Sequence, residues 1–535
     1  MTEELDPEKI VERATKSKET YLDLSRRNLH KLPPDIIRVT SLVELYLYEN
    51  KLDELPEKLG NLSKLIRLSL SENHLTSFPN SIGKLKHLQM LDVRHNKLTS
   101  LPKSIGNLSN LSKLYMRFNQ VTTLPKTIGN LKSLMILSLR QNKLVQLPPQ
   151  LGKLRSLSVL DLRYNQITEL GPWVGSLGSL KILDLRYNKL TVLDPAIGRC
   201  SSLTKLQLSY NSLTEIPTTI SNLDKLTELA LEGNKLKSLP NELSEMSSLK
   251  LLILSRNPLQ LIPNEIFSNL KNLTELNLSF CGLVKIPTSI SKLSSLQRLD
   301  ISNNEFEELP PEIGQVTSVH ELNLNENQLQ SLPVEFGNLN RLRELNLEGN
   351  LLHSLPIEIG QLSSLRKMNL SDNKLSQLPT EIIKLQQLHE LLLNDNKIKK
   401  LPTNFGDLSS LKVLKMEENR LRTVPKNLGK LVSLESLVLT ANRLETLPRE
   451  IGLLSSLKEL NVAENQITVL PPEIALLSNL TELDVLDNPL RSPPEELAEE
   501  GPDAVLGFLA HQLRQKIKEI EKKMKKQGRE DSDQD

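Results

Sequence analysis

Five arginines recur at one position of a repeating phrase and bring their charges into a single row: Arg94, Arg117, Arg140, Arg163 and Arg186. Like charges stacked at strand spacing repel, so such a row is costly unless other groups answer it. Asp92, Asp161 and Asp184 each lie two residues before one of these arginines and answer part of it. Two interpretations stay open. The row is either a self-paired Asp/Arg ladder that keeps an exposed sheet soluble, or a docking strip for an acidic partner, which the planar fork of arginine suits.

Aromatic residues share the solvent-facing positions of the same phrase. All seven tyrosines lie there, and Phe118 and Phe280 join them: Tyr21, Tyr46, Tyr48, Tyr115, Tyr164, Tyr187 and Tyr210. Tyrosine offers a large rigid area with a polar tip, which suits interfaces. The alternative, that tyrosine simply favours strands, predicts tyrosines in the later repeats as well, and none follows Tyr210. We therefore predict a partner-binding wall made of the five arginines, Phe118 and the tyrosines from Tyr46 onward.

The outward positions change sign along the chain. Lys and Arg outnumber Asp and Glu in the repeats up to Asn211, and acidic residues dominate later: Glu321, Glu326, Glu344, Glu348, Asp372, Glu390, Asp395, Glu417, Glu418, Glu459 and Glu464. The net charge is only +2, so we expect no general attraction to nucleic acid. A bipolar wall favours two partners, or two faces of one partner. A solvated acidic surface is the alternative for the later repeats.

Patterns typical of catalysis are missing from the sequence. It holds no Gly-rich phosphate loop, HExxH, CxxC or G-x-S-x-G elbow. We interpret Cys200 as a small apolar filler rather than a nucleophile. Cys281 takes the place of a repeated asparagine, where a small thiol is tolerated. We therefore expect neither an enzyme nor a cofactor or metal.

The elements that position these residues come from the phrase LxxLxLxxNxLxxLPxxI, which returns every 23 residues and gives 21 units when one with Arg27 in the asparagine slot is counted. This period and leucine spacing are typical of leucine-rich repeats. We predict an α/β leucine-rich-repeat solenoid, a curved horseshoe or superhelix with a parallel concave β-sheet. In each unit, leucines such as Leu45 and Leu47 should point inward from a short strand. The repeated asparagine should satisfy backbone groups of its own and the adjacent unit.

Four segments follow from the pattern. We predict a capping helix within residues 1–20, with Ile10, Val11 and Ala14 inward, the solenoid over 21–500, and a second amphipathic helix over 501–527. A disordered tail would occupy 528–535. The inward residues of the second helix recur at spacings of three and four: Val505, Phe508, Leu509, Leu513, Ile517, Ile520 and Met524. We expect a monomer, and the sequence leaves open whether this helix pairs with another copy.

The start of the sequence, MTEELDPEKIVERA, has no apolar stretch behind a basic segment, so we expect no secretory signal. No run approaches the roughly 18 apolar residues of a membrane span, so we expect no membrane insertion. Two cysteines without flanking cysteine clusters fit a reducing compartment. We expect a cytoplasmic location, with the nucleus left open.

Several phrases are more specific than the repeat itself. The sequence resembles the Shoc/Sur-eight family of Ras-pathway scaffolds in LDLSRRNLHKLP (22–33), ELYLYENKL (44–52), LSENHLTSFP (70–79), MLDVRHNKL (90–98), LYMRFNQVTTL (114–124) and GPDAVLGFL (501–509). The resemblance implies a non-enzymatic platform. Its concave face would gather a GTP-loaded Ras-family GTPase, M-Ras in animals, and the catalytic subunit of a type 1 protein phosphatase, which removes an inhibitory phosphate from RAF kinase. At matching positions, the resemblance places these residues in the binding wall: Glu44, Tyr46, Tyr48, Arg94, Tyr115 and Arg117.

The sequence departs from that family in one respect. Family members carry a long charged amino-terminal arm with a V-x-F phosphatase-docking segment, and only about 20 residues precede the first repeat here. The V-x-F at 334–336 falls inside a repeat turn, where we expect Phe336 to be buried. The runner-up interpretation is a cortical or junctional adaptor of the leucine-rich polarity-protein kind. A receptor-type sensor is the third.

Overall fold

The computed structural model describes residues 6–530, the last six by their backbone only. The chain forms two compact units, Met1–Leu276 and Asn277–Asp535. Most repeats of both units share one module, in which a three-residue strand and a turn lead to a short 3-10 helix. The predicted class, a leucine-rich-repeat solenoid, is confirmed.

The first unit begins with helix α1 (Pro7–Ser17). Its strands are β1 Tyr21–Asp23, β2 Glu44–Tyr46, β3 Arg67–Ser69, β4 Met90–Asp92, β5 Lys113–Tyr115, β6 Ile136–Ser138, β7 Val159–Asp161, β8 Ile182–Asp184, β9 Lys205–Gln207, β10 Glu228–Ala230 and β11 Leu251–Ile253. Its 3-10 helices are Pro34–Arg38, Leu59–Asn61, Asn80–Lys84, Lys103–Asn107, Lys126–Asn130, Pro149–Lys153, Pro172–Ser176, Pro195–Arg199, Thr218–Asn222 and Asn241–Glu245.

Strand β12 (Glu275–Asn277) spans the boundary in sequence between the units. The second unit continues with β13 Arg298–Asp300, β14 Glu321–Asn323, β15 Glu344–Asn346, β16 Lys367–Asn369, β17 Glu390–Leu392, β18 Val413–Lys415, β19 Ser436–Val438, β20 Glu459–Asn461 and β21 Glu482–Asp484. Its 3-10 helices are Thr288–Lys292, Pro311–Gln315, Val334–Asn338, Ile357–Gln361, Thr380–Lys384, Phe405–Asp407, Lys426–Lys430, Arg449–Leu453 and Pro472–Leu476. Helices α2 (Glu495–Glu500) and α3 (Pro502–Glu530) follow.

From β1 to β11, and again from β13 to β21, strands pair in parallel with their sequence neighbours, and equivalent residues of successive repeats lie side by side. Leu45 of β2, for example, is opposite Leu22 on one side and Leu68 on the other. Leu45 and Leu47 are fully buried, whereas Tyr46 and Tyr48 are half-buried. This alternation is what a strand with one core-facing side produces, so each repeat presents one row of side chains to solvent.

The repeated asparagines hold successive turns together, as predicted. The buried amide of Asn119 donates to the carbonyls of Val93 (2.9 Å) and Met116 (3.1 Å), and its Oδ1 accepts from the Leu98 amide (3.0 Å). Val93 and Leu98 belong to the preceding repeat and Met116 to its own. Because buried backbone groups need partners, the asparagine fixes the spacing between neighbouring repeats.

At the amino end, α1 packs on the 3-10 helix Pro34–Arg38 and buries Ile10, Val11 and Ala14. The oxygen of Asp6 accepts from the Glu8 amide at 3.1 Å and caps the helix.

The carboxyl end departs from the prediction in three ways. Residues 495–500, assigned to the solenoid by sequence, form α2. Helix α3 buries only Val505 and Leu509 of the seven residues predicted to point inward; Phe508 and Leu513 are half-buried, and Ile517, Ile520 and Met524 are exposed. The reason is that α3 runs past the 3-10 helix Pro472–Leu476 on which it packs.

The predicted start of the disordered tail at residue 528 is wrong, because the helix continues through Glu530. Lysine, glutamate and glutamine favour helix and extend it. The rest of that prediction, 531–535, lies outside the described residues.

Candidate interaction face

The candidate residues all lie on the solvent side of the strands and turns of the first unit. Strands supply Glu44, Tyr46 and Tyr115, and each arginine of the row follows the last residue of its strand by two positions. We call the set from Arg94 to Tyr210 the Tyr/Arg patch; its members are Arg94, Tyr115, Arg117, Phe118, Arg140, Arg163, Tyr164, Arg186, Tyr187 and Tyr210.

Three of the five arginines are paired within their own repeat. Arg94 donates to Asp92 through Nε (2.8 Å) and Nη2 (2.6 Å). The pairs Arg163–Asp161 and Arg186–Asp184 have the same two-bond geometry, with distances from 2.7 to 3.0 Å. These hydrogen bonds raise the pKa of each of the three guanidinium groups. The self-paired interpretation therefore describes these three arginines.

The other two arginines lack such a carboxylate. Tyr115 and Ser138 occupy the positions where an aspartate precedes the paired arginines. The Nε atoms of Arg117 and Arg140 are buried without a hydrogen-bond partner, and neither guanidinium forms an ion pair within the described residues. A charged donor left in this state costs more than a paired one. Because the Nε atoms are buried and the side chains are only half-buried, an acceptor from outside the chain would bind at the terminal nitrogens of each guanidinium.

Aromatic rings hold these two guanidinium groups in place. The Arg117 Cζ lies 5.8 Å from the Phe118 ring centre, and the Arg140 Cζ lies 5.8 Å from the same centre and 5.3 Å from that of Tyr164. Guanidinium groups within about 6 Å of a ring centre are attracted to its face. The two unpaired cations are thus positioned before any partner arrives.

Three tyrosines form a continuous stack. The rings of Tyr164 and Tyr187 are 4.3 Å apart and tilted by 6°, and those of Tyr187 and Tyr210 are 4.5 Å apart and tilted by 7°. His95 and Phe118 stack in the same register at 4.2 Å. Because the ring faces contact each other, the stack presents ring edges and hydroxyl groups to a partner.

The stacked tyrosines do not lie in strands. Each occupies the turn position just before the repeated asparagine, with φ of 54° at Tyr164, 58° at Tyr187 and 57° at Tyr210. Left-handed backbone favours glycine and asparagine and is costly for bulky residues. Strand preference is therefore wrong as an explanation of these three residues.

Tyr210 ends the stack. Its phenol donates to the Glu232 carboxylate at 2.7 Å, and this hydrogen bond is the main cause that raises the pKa of Tyr210 to about 12. The next equivalent position is Gly233, with φ of 64°, where a Cβ would lie 2.8 Å from the Tyr210 ring. Glycine at this position leaves room for the last ring.

A separate cluster surrounds the first strands. The Tyr46 phenol donates to Glu44 at 2.8 Å, which raises the pKa of Tyr46. The Tyr21 and Tyr46 rings are 5.5 Å apart, and Arg26 lies 5.5 Å from the centre of the Tyr48 ring. The structure therefore brings Glu44 and Tyr46 together, while Tyr48 contacts Arg26, and none of these contacts reaches the Tyr/Arg patch.

The turn position that carries Phe118, Tyr164, Tyr187 and Tyr210 in the first unit is mostly acidic in the second unit, where its acidic residues are Glu326, Asp372, Asp395, Glu418, Glu464 and Asp487. The charge of Asp395 is the main cause that raises the pKa of Glu418. Neighbouring cations neutralise part of the charge of the acidic strand residues, as in the ion pair between Lys367 and Glu344 at 3.2 Å. Phe280 also belongs to this unit.

Sequence reasoning missed His95, Glu232 and Gly233. Their signal was present, since His95 and Gly233 share the 23-residue register of Phe118 and the tyrosines. Which residues contact each ring of the stack depends on side-chain positions, and the repeat register alone does not determine these.

Both cysteines are buried and reduced. The Cys200 thiol donates to the Val174 carbonyl at 3.2 Å, and burial raises its pKa to about 11. Because thiolate is the reactive form, this environment suits a core residue. Within residues 6–530 no group of His, Cys, Asp and Glu has an arrangement for a metal ion. None of the described helices has both the length and the apolar character needed to span a bilayer.

Comparison with known proteins agrees with this architecture. The family model described as leucine-rich repeat region matches residues 59–141 and 351–442. A second, described as leucine rich repeat, matches 178–236, 224–283, 247–306, 294–352 and 432–490. No curated protein matches the chain.

Several solved structures are similar. A leucine-rich-repeat protein of Leptospira interrogans is 34% identical, with a TM-score of 0.57 over 81% of this chain and 93% of that one. The plant peptide hormone receptor RGFR1, solved with RGF2, is 30% identical with a TM-score of 0.59, over 86% and 84% of the two chains. YopM from Yersinia enterocolitica is 26% identical with a TM-score of 0.64, over 90% and 93%.

The fold and the exposed rows of side chains define a repeat protein of the interaction type. The chain belongs to the leucine-rich-repeat family.

Proposed function

We propose that this protein is a non-enzymatic cytoplasmic scaffold whose Tyr/Arg patch binds a Ras-family GTPase and promotes RAF and MAPK signalling. A type 1 protein phosphatase catalytic subunit is the second proposed partner. The family itself supports the broader statement that the chain binds other proteins. The specific partners come from the resemblance of its first five repeats and closing helix to Shoc/Sur-eight scaffolds.

One observation supports the patch as the contact surface. Arg117 lies against the Phe118 ring and Arg140 lies between the rings of Phe118 and Tyr164, both without an anionic partner, whereas their neighbours in the row are paired. A protein that presents two carboxylates at the spacing of Arg117 and Arg140 would give both arginines the anionic partner that they lack. Hydrogen bonds between charged groups contribute more than neutral ones, so these two residues should dominate affinity.

The phosphatase would have to bind without the V-x-F segment of 334–336. Phe336 is fully buried in the 3-10 helix Val334–Asn338, as expected, so its ring is not available as a docking anchor. The acidic positions of the second unit are the surface that we assign to this second partner.

The test is a binding assay with the full chain immobilised and a panel of Ras-family proteins loaded with GTP or GDP. We expect binding to the GTP form that is lost in an Arg117→Glu, Tyr115→Ala variant. The matched control is Arg155→Glu, which makes the same charge change at an exposed residue outside the patch and should bind normally. Equal binding of both nucleotide forms, or full binding by the double variant, would remove the proposal.

The cortical or junctional adaptor remains the second candidate. It predicts enrichment in the membrane fraction of cells and cross-links to junction proteins, with no nucleotide-dependent partner. A fractionation and cross-linking survey separates the two candidates.

A further inference from the structure

The second half of α3 exposes an apolar stripe. The helix is anchored by the buried residues Val505 and Leu509, but Ile517 and Ile520 are each 47% exposed and Met524 is 68% exposed. Burial of such side chains is a main source of binding energy. In the described part of the chain, nothing covers this stripe.

The spacing of the stripe is that of a coiled coil. Apolar residues at alternating steps of four and three residues run through α3: Leu506, Ala510, Leu513, Ile517, Ile520 and Met524. With Ile517 at position a, these residues fill successive d and a positions of a heptad repeat. Leu513 at d with Ile517 at a favours two strands, whereas Ile520 at the following d position favours three or four. The choice of two strands therefore rests on Leu513 and Ile517.

The flanking charges select the orientation. In this register Lys516 and Lys523 occupy g positions, and Arg514 and Glu521 occupy e positions. A parallel pair places each Lys516 opposite Glu521 of the other chain, twice by symmetry. An antiparallel pair gains Arg514 against Glu521 but sets Lys516 and Lys523 against each other.

We infer that α3 binds the α3 of a second copy of this chain as a parallel two-stranded coiled coil. This departs from the monomer expected from sequence. The stripe is confined to a and d positions, which is narrower than the apolar face of a helix that lies on a membrane. It contains no aromatic residue.

Pairing should be reversible and concentration-dependent, because few heptads contribute. Lys516 already contacts Glu473 of its own chain at 2.7 Å, so its bond to the second copy replaces an existing one. The exposed isoleucines and Met524 must therefore supply most of the stabilisation.

Sedimentation equilibrium of the full chain tests the inference. The mass should rise with concentration from 60.4 kDa toward twice that value, and an Ile517→Glu, Ile520→Glu variant should stay at the lower mass. The matched control Lys518→Glu, Lys522→Glu changes the exposed outer side of the helix and should dimerise. Circular dichroism and an unchanged unfolding midpoint check that each variant folds.

Orientation has its own readout. Both native cysteines are buried, so a Met524→Cys variant reports only on the helix. A parallel pair brings the two introduced thiols within disulfide reach, and an antiparallel pair does not.

A constant mass of 60.4 kDa at all concentrations, or a dimer that survives both glutamate substitutions, would overturn the inference. So would binding to anionic lipid vesicles through Ile517 and Ile520 without self-association. An antiparallel cross-link pattern would overturn the assigned orientation.

Discussion

Asp92 and Arg94 form a two-bond ion pair within a single turn, with Nε to Oδ1 at 2.8 Å and Nη2 to Oδ2 at 2.6 Å. The carboxylate side chain is 3% exposed and the guanidinium 34%. The next repeat places Arg117 at the equivalent position without a carboxylate. The same row of arginines therefore contains arginines paired with an aspartate, which we call closed pairs, and arginines without a carboxylate partner, which we call open cations.

The closed pair predicts a stability effect. Asp92→Asn should lower the free energy of unfolding by about 1–3 kcal/mol, because it leaves a half-buried guanidinium with a weaker acceptor. Urea denaturation measures the change. The double variant Asp92→Leu, Arg94→Met should lie closer to the wild type, because removing both charges leaves neither unpaired. An Asp92→Asn protein as stable as the wild type would contradict this account of the pair.

The ladder of repeated asparagines predicts that replacing a buried asparagine lowers stability more than replacing an exposed one. Asn119→Ala removes four hydrogen bonds of a buried amide and should cost about 1–3 kcal/mol. The control Asn130→Ala changes an exposed asparagine and should stay within about 0.5 kcal/mol of the wild type. Comparable midpoints of thermal unfolding for the two variants would show that the ladder is not needed.

The fold follows from the sequence more completely than the site does. A fixed register of leucine, asparagine and proline determines each strand, turn and 3-10 helix, because every repeat repeats the same local constraints. Leu45 and Phe336 lie where the pattern puts them. The helix end at Glu530 was missed because the choice between a charged helix and a disordered tail depends on small propensity differences.

The pattern also placed the five arginines in one row, but it did not show which of them form ion pairs within the chain. Arg94 and Arg117 are equivalent by register, and only the residue two positions earlier distinguishes them. The stack of Tyr164, Tyr187 and Tyr210 depends on a left-handed backbone that a strand-based interpretation does not include.

Stability should depend on pH in the alkaline range through Tyr210. The hydrogen bond to Glu232 raises the pKa of folded Tyr210 to about 12, above the usual tyrosine value of about 10. A group with a raised folded pKa stabilises fully below its unfolded pKa and loses that contribution as pH rises through the folded value. We therefore expect stability to fall between about pH 10 and 12. Glu232→Gln should lower the pKa of Tyr210 in an ultraviolet phenolate titration, and an unchanged titration curve would refute the role of Glu232.

Arginine at position 140 should not be replaceable by lysine. Arg140 stacks between Phe118 and Tyr164, and lysine keeps the charge but lacks the planar fork. Arg140→Lys should weaken partner binding about tenfold, since the loss of one charge-assisted contact is about 1.4 kcal/mol or more. The check is titration calorimetry at constant ionic strength, with Lys143→Arg as a control at an exposed site. Wild-type affinity in Arg140→Lys would show that charge alone is enough.

The central claim is that the open cations of the row make the partner contact, and one titration compares them with the closed pairs. An Arg117→Gln, Arg140→Gln variant and an Arg94→Gln, Arg186→Gln variant each lose two charges from the same row. We predict that the first loses at least about tenfold in affinity for the GTP-loaded Ras-family protein with stability unchanged, whereas the second retains binding but unfolds more easily. Equal losses in both variants, or full binding by the first, would contradict the account.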